Sequence, residues 1–273
     1  SNIQAEASPI ESTTGKLVIG AYSTAAYPFS GFIDDVRIYN YARTADQILV
    51  DYNAGAAAYL GAGTDPNEGN PPVGYWTMDE NTGTTAYDRS GSGYNGTITG
   101  AAYVAGKYGL ALNFNGTSNS VNIGTTVLNN RTTGTISMWI NPRSAAANGG
   151  QPWLNTTLFS NDNIYLGIQI LSDYKIRAYY WDTTASPKNI DSVNPVPLNS
   201  WSFITYSWDG SGSKVYINGS LETNSALTWA NVHSGHVNQA NYLGSTNGSI
   251  YWFNGLMDDV KIYNYARTQA QIA

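Results

Sequence analysis

An internal repeat is the feature that most limits what this chain can fold into. Residues 31–48, GFIDDVRIYNYARTADQI, return as residues 255–272, GLMDDVKIYNYARTQAQI, with 13 of the 18 positions identical. The same offset of 224 residues aligns Gly20 with Gly244 without a gap. Solenoid repeats have periods of roughly 20–50 residues. A period so much longer indicates tandem domains.

The positions of the two copies divide the chain into three predicted parts. Residues 74–273, which contain the second copy, are predicted to form one complete domain. Residues 1–52 are predicted to be the C-terminal remnant of a preceding repeat. The stretch between them, 53–73, is rich in Gly, Ala and Pro, which is typical of a linker. The alternative is that the first part is an N-terminal extension of a single domain.

Composition limits the functional class. Only 12 % of the residues are charged, against roughly 25 % in an average soluble domain. The formal net charge of −6 argues against a nucleic-acid partner, which requires a basic face. No apolar run approaches the roughly 18 residues of a membrane span, so the chain is not expected to be membrane-embedded. The absence of Cys excludes a disulfide framework.

Short alternating segments separated by turn residues predict an all-β domain. The predicted strands are Gly74–Met78, Ala111–Phe114, Ser120–Ile123, Gly134–Ile140, Thr157–Phe159, Ile164–Leu171, Lys175–Tyr180, Trp201–Trp208, Lys214–Ile217, Asn241–Gly244 and Gly255–Tyr263, with Gly15–Gly20 and Gly31–Tyr39 in the first part. Three of the motif strands carry Trp76, Trp139 and Trp201, which are expected in or near the core.

Turn and capping signals support this pattern. The dipeptides beginning at Asn95, Asn115 and Asn218 are each Asn-Gly, which tolerates the positive φ of tight hairpins. Thr44-x-x-Gln47 and Thr268-x-x-Gln271 match a capping box. They predict a short helical turn after the last strand of each copy.

Six motifs occur in a fixed order along the second part of the chain. They are GYWTMDENTG at 74–83, DRSG with YNG at 88–96, GLALNFNG at 109–116, ISMWI at 136–140, VYING at 215–219 and GLMDDVKIYN at 255–264. Together they resemble the laminin-G-like, concanavalin A-like jelly-roll superfamily, especially the bacterial tandem LamG-like surface module. The resemblance implies a two-sheet antiparallel β-sandwich with short helical turns after the last strand.

The carboxylates do not have the pattern of a glycosidase. Glycoside hydrolases of this superfamily need two carboxylates across one cleft, roughly 5–10 Å apart. The acids of Asp79-Glu80 are adjacent, so on a strand they point to opposite faces, and the Asp258-Asp259 doublet has the same problem. The sequence therefore predicts a protein that is not an enzyme.

The resemblance implies a structural Ca²⁺ as a cofactor. Calcium takes six to eight oxygen ligands from carboxylates, amides and carbonyls. Asp258, Asp259, Asn115 and Asp88 are the predicted metal ligands. In the alternative interpretation these side chains accept backbone N–H bonds and fix turns.

Aromatic and basic residues suggest a ligand-binding surface. Trp153 and Trp252 are predicted in loops. In the alternating segment DYKIRAYYWD, one face would carry Arg177, Tyr179 and Trp181. Exposed rings of this kind suit sugars and protein interfaces. These five residues are the predicted ligand-binding set, and an ordinary solvated sheet face is the alternative.

Two functions remain open on these grounds. The first is a non-catalytic extracellular or cell-surface module for binding and adhesion, whose partner is a glycan or a surface protein. The second is a structural spacer or fibre subunit of a tandem-repeat surface protein. In that case the N-terminal strands would pair with a neighbouring domain or chain, because unpaired strands expose edges that favour self-association.

Overall fold

The computed structural model describes most of the second part of the chain and a short piece of the first. The described residues are 18–23, 26–31, 33, 36, 70–128, 131–144, 156–161, 166–181, 187–226 and 240–272. The chain divides into two compact units, Ser1–Ala58 and Tyr59–Ala273. No described helix is long and apolar enough to cross a lipid bilayer.

The second unit is a sandwich of two antiparallel sheets, as predicted. The strands of the first sheet are β4 (Thr85–Ala86), β5 (Gly96–Thr99), β8 (Ser120–Asn122), β10 (Thr156–Asn161), β11 (Leu166–Ile170), β12 (Lys175–Trp181), β13 (Pro187–Pro195) and β17 (Asn241–Leu243). Their order across the sheet is β13-β12-β11-β10-β17-β8-β5-β4.

The strands of the second sheet are β3 (Gly74–Trp76), β6 (Ala102–Ala105), β7 (Leu110–Asn115), β9 (Gly134–Pro142), β14 (Ser202–Asp209), β15 (Gly212–Ile217), β16 (Ser220–Ser225) and β18 (Asn254–Tyr263). Their order across the sheet is β16-β15-β14-β9-β18-β7-β6, and β3 also pairs with β18. The last strand in sequence, β18, thus lies in the middle of this sheet.

Alternation along the strands places the core between the sheets. In the first sheet, one cross-strand row is apolar and faces inward, formed by Ile98, Val121, Leu243, Ile168, Ala178 and Ile190. In β18, Val260 and Ile262 are buried in the same core, whereas Lys261 lies on the other face. Period-two burial of this kind is what the sequence pattern predicted.

Hydrogen bonds join the edge strands β13 and β16 of the two sheets. The Thr223 hydroxyl donates to the Asp191 carbonyl at 2.6 Å, and the Asn194 backbone N–H donates to Glu222 Oε2 at 2.8 Å. These bonds hold one side of the sandwich together. They also fix the backbone of β13.

A short helix, α1 (Gln269–Ile272), follows β18 as predicted. The Thr268 backbone N–H donates to Gln271 Oε1 at 2.8 Å, which is one half of the expected capping box. The matching turn at Thr44 lies outside the described residues.

Several predictions about strands and turns were wrong. Strands β4, β5, β6, β13 and β16 were not predicted. The Asn95-Gly96 dipeptide is not a turn, because Gly96 begins β5, whereas Asn218 and Gly219 have the positive φ values of a tight hairpin. Trp139 lies on the outer face of the second sheet, in contact with Phe203, and is not in the core.

The described part of the first unit is a hairpin. Strand β1 (Ala21–Ser23) pairs with β2 (Ala26–Pro28), and the Phe29 backbone N–H donates to the Gly20 carbonyl at 2.7 Å. This hairpin lies between the two strands predicted here. Of the predicted Gly15–Gly20 strand, the described residues 18–20 are not a strand.

Candidate ligand-binding face

The outer face of the first sheet carries a polar row across all eight strands. The row consists of residues paired in register, Asn189, Tyr179, Gly167, Ser160, Tyr242, Asn122, Thr97 and Thr85. A second row beside it contains Asp191, Arg177 and Gln169. We call these two rows the polar face.

An ion pair lies at the β12–β13 end of the polar face. Arg177 Nε and Asp191 Oδ1 are 2.7 Å apart, and Arg177 Nη2 and Asp191 Oδ2 are also 2.7 Å apart. The side chains are 29 % and 35 % exposed. Hydrogen bonds with Asp191 raise the pKa of Arg177, so the guanidinium stays charged. The pair is rigid and still reaches solvent.

Tyr179 lies beneath this surface and is only 4 % exposed. Its ring crosses the backbone of Gly167, where any Cβ would overlap the ring. Burial raises the pKa of Tyr179, and its hydroxyl has no hydrogen-bond partner of normal geometry among the described residues. Tyr179 therefore supports the face and does not offer its ring for stacking.

The loop after β17 borders the polar face. The Tyr242 ring packs against Gly248, where a Cβ would lie 2.9 Å from the ring, and the Asn122 amide donates to the Tyr242 hydroxyl at 3.4 Å. Tyr251 is close enough to Tyr179 to affect its pKa, and Trp252, the next residue, is half-buried. Of the predicted ligand residues, Trp252 thus lies in this loop.

The other predicted ligand residues divide into two groups. Arg177 and Tyr179 occupy alternate positions on the polar face, as their spacing predicted. Trp181 pairs with Pro187 through its backbone, and its side chain is not among those described. Trp153 lies outside the described residues. Sequence reasoning missed Asp191, because β13 begins and ends with Pro and was not predicted as a strand.

The sequence matches the laminin G member of the Concanavalin A-like lectin/glucanases superfamily over residues 1–49 and 115–273, more than half of the chain. The chain belongs to this superfamily. None of the curated proteins matches it.

Solved structures with the same lectin/glucanase fold show what the sandwich is similar to. Domain 4 of AbnA, an extracellular GH43 arabinanase from Geobacillus stearothermophilus solved with arabinotriose, is 24 % identical with a TM-score of 0.59, over 74 % of this chain and 96 % of that chain. The binding domain of Paraclostridial Mosquitocidal Protein 1 is 19 % identical with a TM-score of 0.59, over 74 % and 51 %. Trypanosoma rangeli sialidase is 14 % identical with a TM-score of 0.57, over 83 % and 37 %.

The calcium ligands predicted from the superfamily resemblance do not converge on one ion. Asp88 uses both carboxylate oxygens to join its own turn to β3, accepting from the backbone N–H groups of Tyr75, Ser90 and Tyr94 at 2.9 Å each. Burial works against ionisation here, but these hydrogen bonds outweigh it and lower the pKa of Asp88. The Asp88 carboxylate therefore acts as a turn-forming group.

Asn115 is likewise engaged locally. Its side-chain oxygen accepts from the backbone N–H groups of Thr117 at 2.9 Å and Ser118 at 3.0 Å. Asn115 pairs with Asn254, four residues before Asp258 on β18, which is roughly 13 Å of extended strand. Asn115 and Asp258 therefore cannot share a calcium ion.

Asp258 fixes the hairpin turn between β6 and β7. Its Oδ2 accepts from the backbone N–H groups of Lys107 and Tyr108, both at 2.9 Å. The turn places Lys107 Nζ 4.7 Å from the Trp139 ring centroid, and the Tyr108 and Trp139 centroids are 5.7 Å apart. Asp259 instead forms an ion pair with Lys261, at 2.9 Å.

Burial raises the pKa of Asp258 to about 8, and the neighbouring carboxylates of Asp259 and Asp79 add to the increase. Its Oδ1 has no hydrogen-bond partner among the described residues. Within the described ranges, no three His, Asp or Glu side chains are grouped so that they could hold a metal ion. Calcium binding stays a prediction, without a ligand set that fits it.

Proposed function

We propose that this chain is a non-catalytic carbohydrate-binding module and that the polar face of its first sheet is the binding surface. The observation that carries the proposal is the Arg177–Asp191 pair, which is held in a bidentate geometry and is still about one-third exposed. Exposed Asn189 lies beside it on the same strand. The surface thus presents fixed donors and acceptors side by side.

This arrangement suits neighbouring hydroxyl groups of a sugar. A guanidinium has five N–H donors, and Asp191 engages only two of those of Arg177. Each carboxylate oxygen has a further lone pair, so one sugar hydroxyl can donate to Asp191 while its neighbour accepts from Arg177. Charge-assisted hydrogen bonds of this kind are stronger than neutral ones.

The surroundings favour a pre-organised site. The Asp191 carbonyl is anchored to Thr223 of the other sheet, and the buried Tyr179 ring lies across Gly167 on the same face. Rigid donors lose little conformational entropy on binding. The similar domain from AbnA was solved with arabinotriose, and the mosquitocidal protein fragment is a binding domain, which supports the same role here.

Titration calorimetry with a panel of oligosaccharides, beginning with arabinotriose, tests the proposal. Asp191→Asn and Arg177→Gln should each weaken binding about 10-fold or more, because hydrogen bonds to charged groups contribute about 1.5–3 kcal/mol. Binding that survives both substitutions unchanged would contradict a site on the polar face.

A matched control exists on the other sheet. Lys261 and Asp259 form an ion pair there, with a separation of 2.9 Å, in which the basic side chain is 27 % exposed, close to the 29 % of Arg177. Lys261→Gln removes one ion pair without touching the polar face, so glycan affinity should be unchanged. An equal loss of affinity in this variant would indicate a general effect of charge or stability.

We further propose that the module acts outside the cell and performs no chemistry of its own. The similar arabinanase domain belongs to an extracellular enzyme, and a similar toxin fragment is a binding domain. Because the similar structures also include a sialidase, glycan cleavage needs its own test. Incubation of any bound oligosaccharide with the chain, followed by chromatography, should return the intact oligosaccharide.

A second role concerns the first unit and involves assembly. Its described residues include large apolar side chains that are exposed, among them Ile19 and Phe29. Such a surface is suited to a protein partner, whether a neighbouring domain, a surface protein or another copy. Size-exclusion chromatography and light scattering at several concentrations measure whether the chain associates with itself.

A further inference from the structure

The two copies of the repeat differ in what their apolar side chains contact. In the first copy Ile19, Phe29, Ile33 and Val36 are 57 %, 58 %, 48 % and 52 % exposed. Their counterparts at the offset of 224 are Leu243, Phe253, Met257 and Val260. All four counterparts are fully buried in the sandwich core.

Two backbone features of the copies nevertheless match, although the hairpins between them differ: Ser23 pairs with Ala26 in the first copy, and Thr246 pairs with Ile250 in the second. The Phe29 N–H donates to the Gly20 carbonyl at 2.7 Å, and the Phe253 N–H donates to the Gly244 carbonyl at 2.8 Å. Gly20 and Gly244 have φ values of 81° and 78°. The first copy therefore shares one backbone hydrogen bond and one glycine conformation with the closing segment of the second unit.

The aromatic ring in each copy lies close to the glycine two residues further along the chain. A Cβ on Gly31 would lie 2.8 Å from the Phe29 ring, and a Cβ on Gly255 would lie 2.7 Å from the Phe253 ring. This ring–glycine contact is therefore common to both copies, although only Phe253 is buried.

The two copies differ in the side chains and strands that pack against them. At Gly244 a Cβ would overlap the ring of Phe114 from β7, which packs closely on that glycine. At Gly20 the nearest atom to a Cβ would be Ile33 Cδ1 at 3.6 Å. Leu243 lies in β17, paired with β8 and β10, whereas Ile19 is in no strand. Among the described residues, the first copy thus lacks neighbours that the second copy has.

We propose that residues 18–36 are a closing segment for a second β-sandwich, and that Ile19, Phe29, Ile33 and Val36 dock into its core. The partner is an incomplete sandwich of this superfamily, equivalent to residues 70–224 of this chain, which lacks its own closing strands. This proposal rests on the assembly role above and names its partner; it is independent of glycan binding.

The second unit shows why this partner fits better than a flat surface. There the same side-chain series fills the core beside Phe114 of β7, while β18 pairs with β9, β7 and β3. Apolar side chains on one face of a closing strand are buried between the two sheets of a sandwich. A flat apolar patch would cover them from one side only.

A fusion protein tests the proposal directly. A second copy of residues 70–224 is joined to the N-terminus of the full chain, so that its last residue precedes residue 1 and the offset of the repeat is preserved. We expect the backbone amides between residues 19 and 36 to exchange hydrogen about 1000-fold more slowly than in the unfused chain, since a folded domain protects its core by several kcal/mol. A second cooperative unfolding transition should appear.

The control is the same fusion with Ile33→Asp and Val36→Asp. These substitutions should abolish the added protection while residues 70–272 of the original chain keep theirs. In the unfused chain the same double substitution should leave the unfolding midpoint unchanged. The proposal is overturned if the added segment stays unfolded in the unsubstituted fusion, or if the Asp substitutions leave its protection intact.

Discussion

The two copies of the repeat share much of their sequence, one glycine conformation and one backbone hydrogen bond, but not their surroundings. Gly20 and Gly244 have φ values of 81° and 78°, and the carbonyl of each accepts from the backbone N–H of the matching Phe. The hairpins that follow differ, since Ser23 pairs with Ala26 in the first copy and Thr246 pairs with Ile250 in the second. Strand formation at Leu243 needs β8 and β10, and the equivalent Ile19 has no such strands beside it in the part of the first unit that the structure describes. The comparison teaches that the conformation of this glycine is local, whereas hairpin register, strand pairing and burial depend on the surroundings of each copy.

The largest contrast is expected at the paired phenylalanines. Phe253→Ala should destabilise the second unit by about 3–5 kcal/mol, because it empties space in a packed core. Phe29→Ala should change stability by no more than about 0.5 kcal/mol, since Phe29 is exposed. Urea unfolding of both variants measures the difference. Equal losses would mean that Phe29 is already packed in the isolated chain.

The paired glycines should differ less. Gly20→Ala and Gly244→Ala both place a Cβ at positive φ, which costs about 1 kcal/mol. Only at Gly244 would the added methyl overlap Phe114, which adds about 1–3 kcal/mol for overpacking. Thermal unfolding measures the loss of stability in each variant. Equal losses would show that the Phe114 ring can move aside without cost.

Asp258 is the first residue of the Asp-Asp doublet that occurs in both copies, and in the second copy it is buried. The stability of the second unit should therefore depend on the titration of this carboxyl group. The unfolded carboxyl ionises near pH 4, whereas burial keeps the folded one protonated up to about pH 8. The folded state then holds an extra proton, so stability falls as the pH rises from 4 to 8 and is level above that.

Asp258→Asn should abolish this fall in stability, because an amide does not titrate in this range, while the amide oxygen still accepts from Lys107 and Tyr108. Melting curves from pH 4 to 9 for both proteins measure it. Millimolar CaCl₂ against EDTA serves as the control. A calcium-dependent rise in the midpoint that Asp258→Asn abolishes would assign this carboxylate to a metal ion instead.

The smallest effect is expected at the helix cap. Thr268→Ala leaves the α1 capping residue without its hydroxyl and should cost about 1 kcal/mol or less. Thr268→Ser is the conservative control and should restore most of the loss. Thr44→Ala, the equivalent change in the first copy, should leave the stability of the second unit unchanged. Denaturant unfolding of the variants measures both effects.

Much of the fold was predictable because its signals are local. Alternation in β12 and β18 predicted which residues face the core, and the repeated capping box predicted α1. The edge strands β13 and β16 were missed, because both are polar and one begins and ends with Pro. Such strands form through pairing with distant neighbours, which no short window of sequence contains.

The candidate site was predictable only in part. The spacing of Arg177 and Tyr179 placed both on one face, but it could not show that Tyr179 is buried with its ring across Gly167 of β11. Nor could it show that Asp191 pairs with Arg177. In the sequence, the Asp258-Asp259 doublet suggests metal ligands. Only the position of the turn at Lys107 shows that the Asp258 carboxylate accepts from backbone N–H groups instead.

The central place of β18 has a consequence for synthesis of the chain. This strand lies between β9 and β7, yet it is translated after every other strand. A nascent polypeptide therefore leaves β9 and β7 without the strand between them until β18 has left the ribosome. Because such long-range pairing is slow, we expect the sandwich to complete its folding only after that point and to be most vulnerable to aggregation before it.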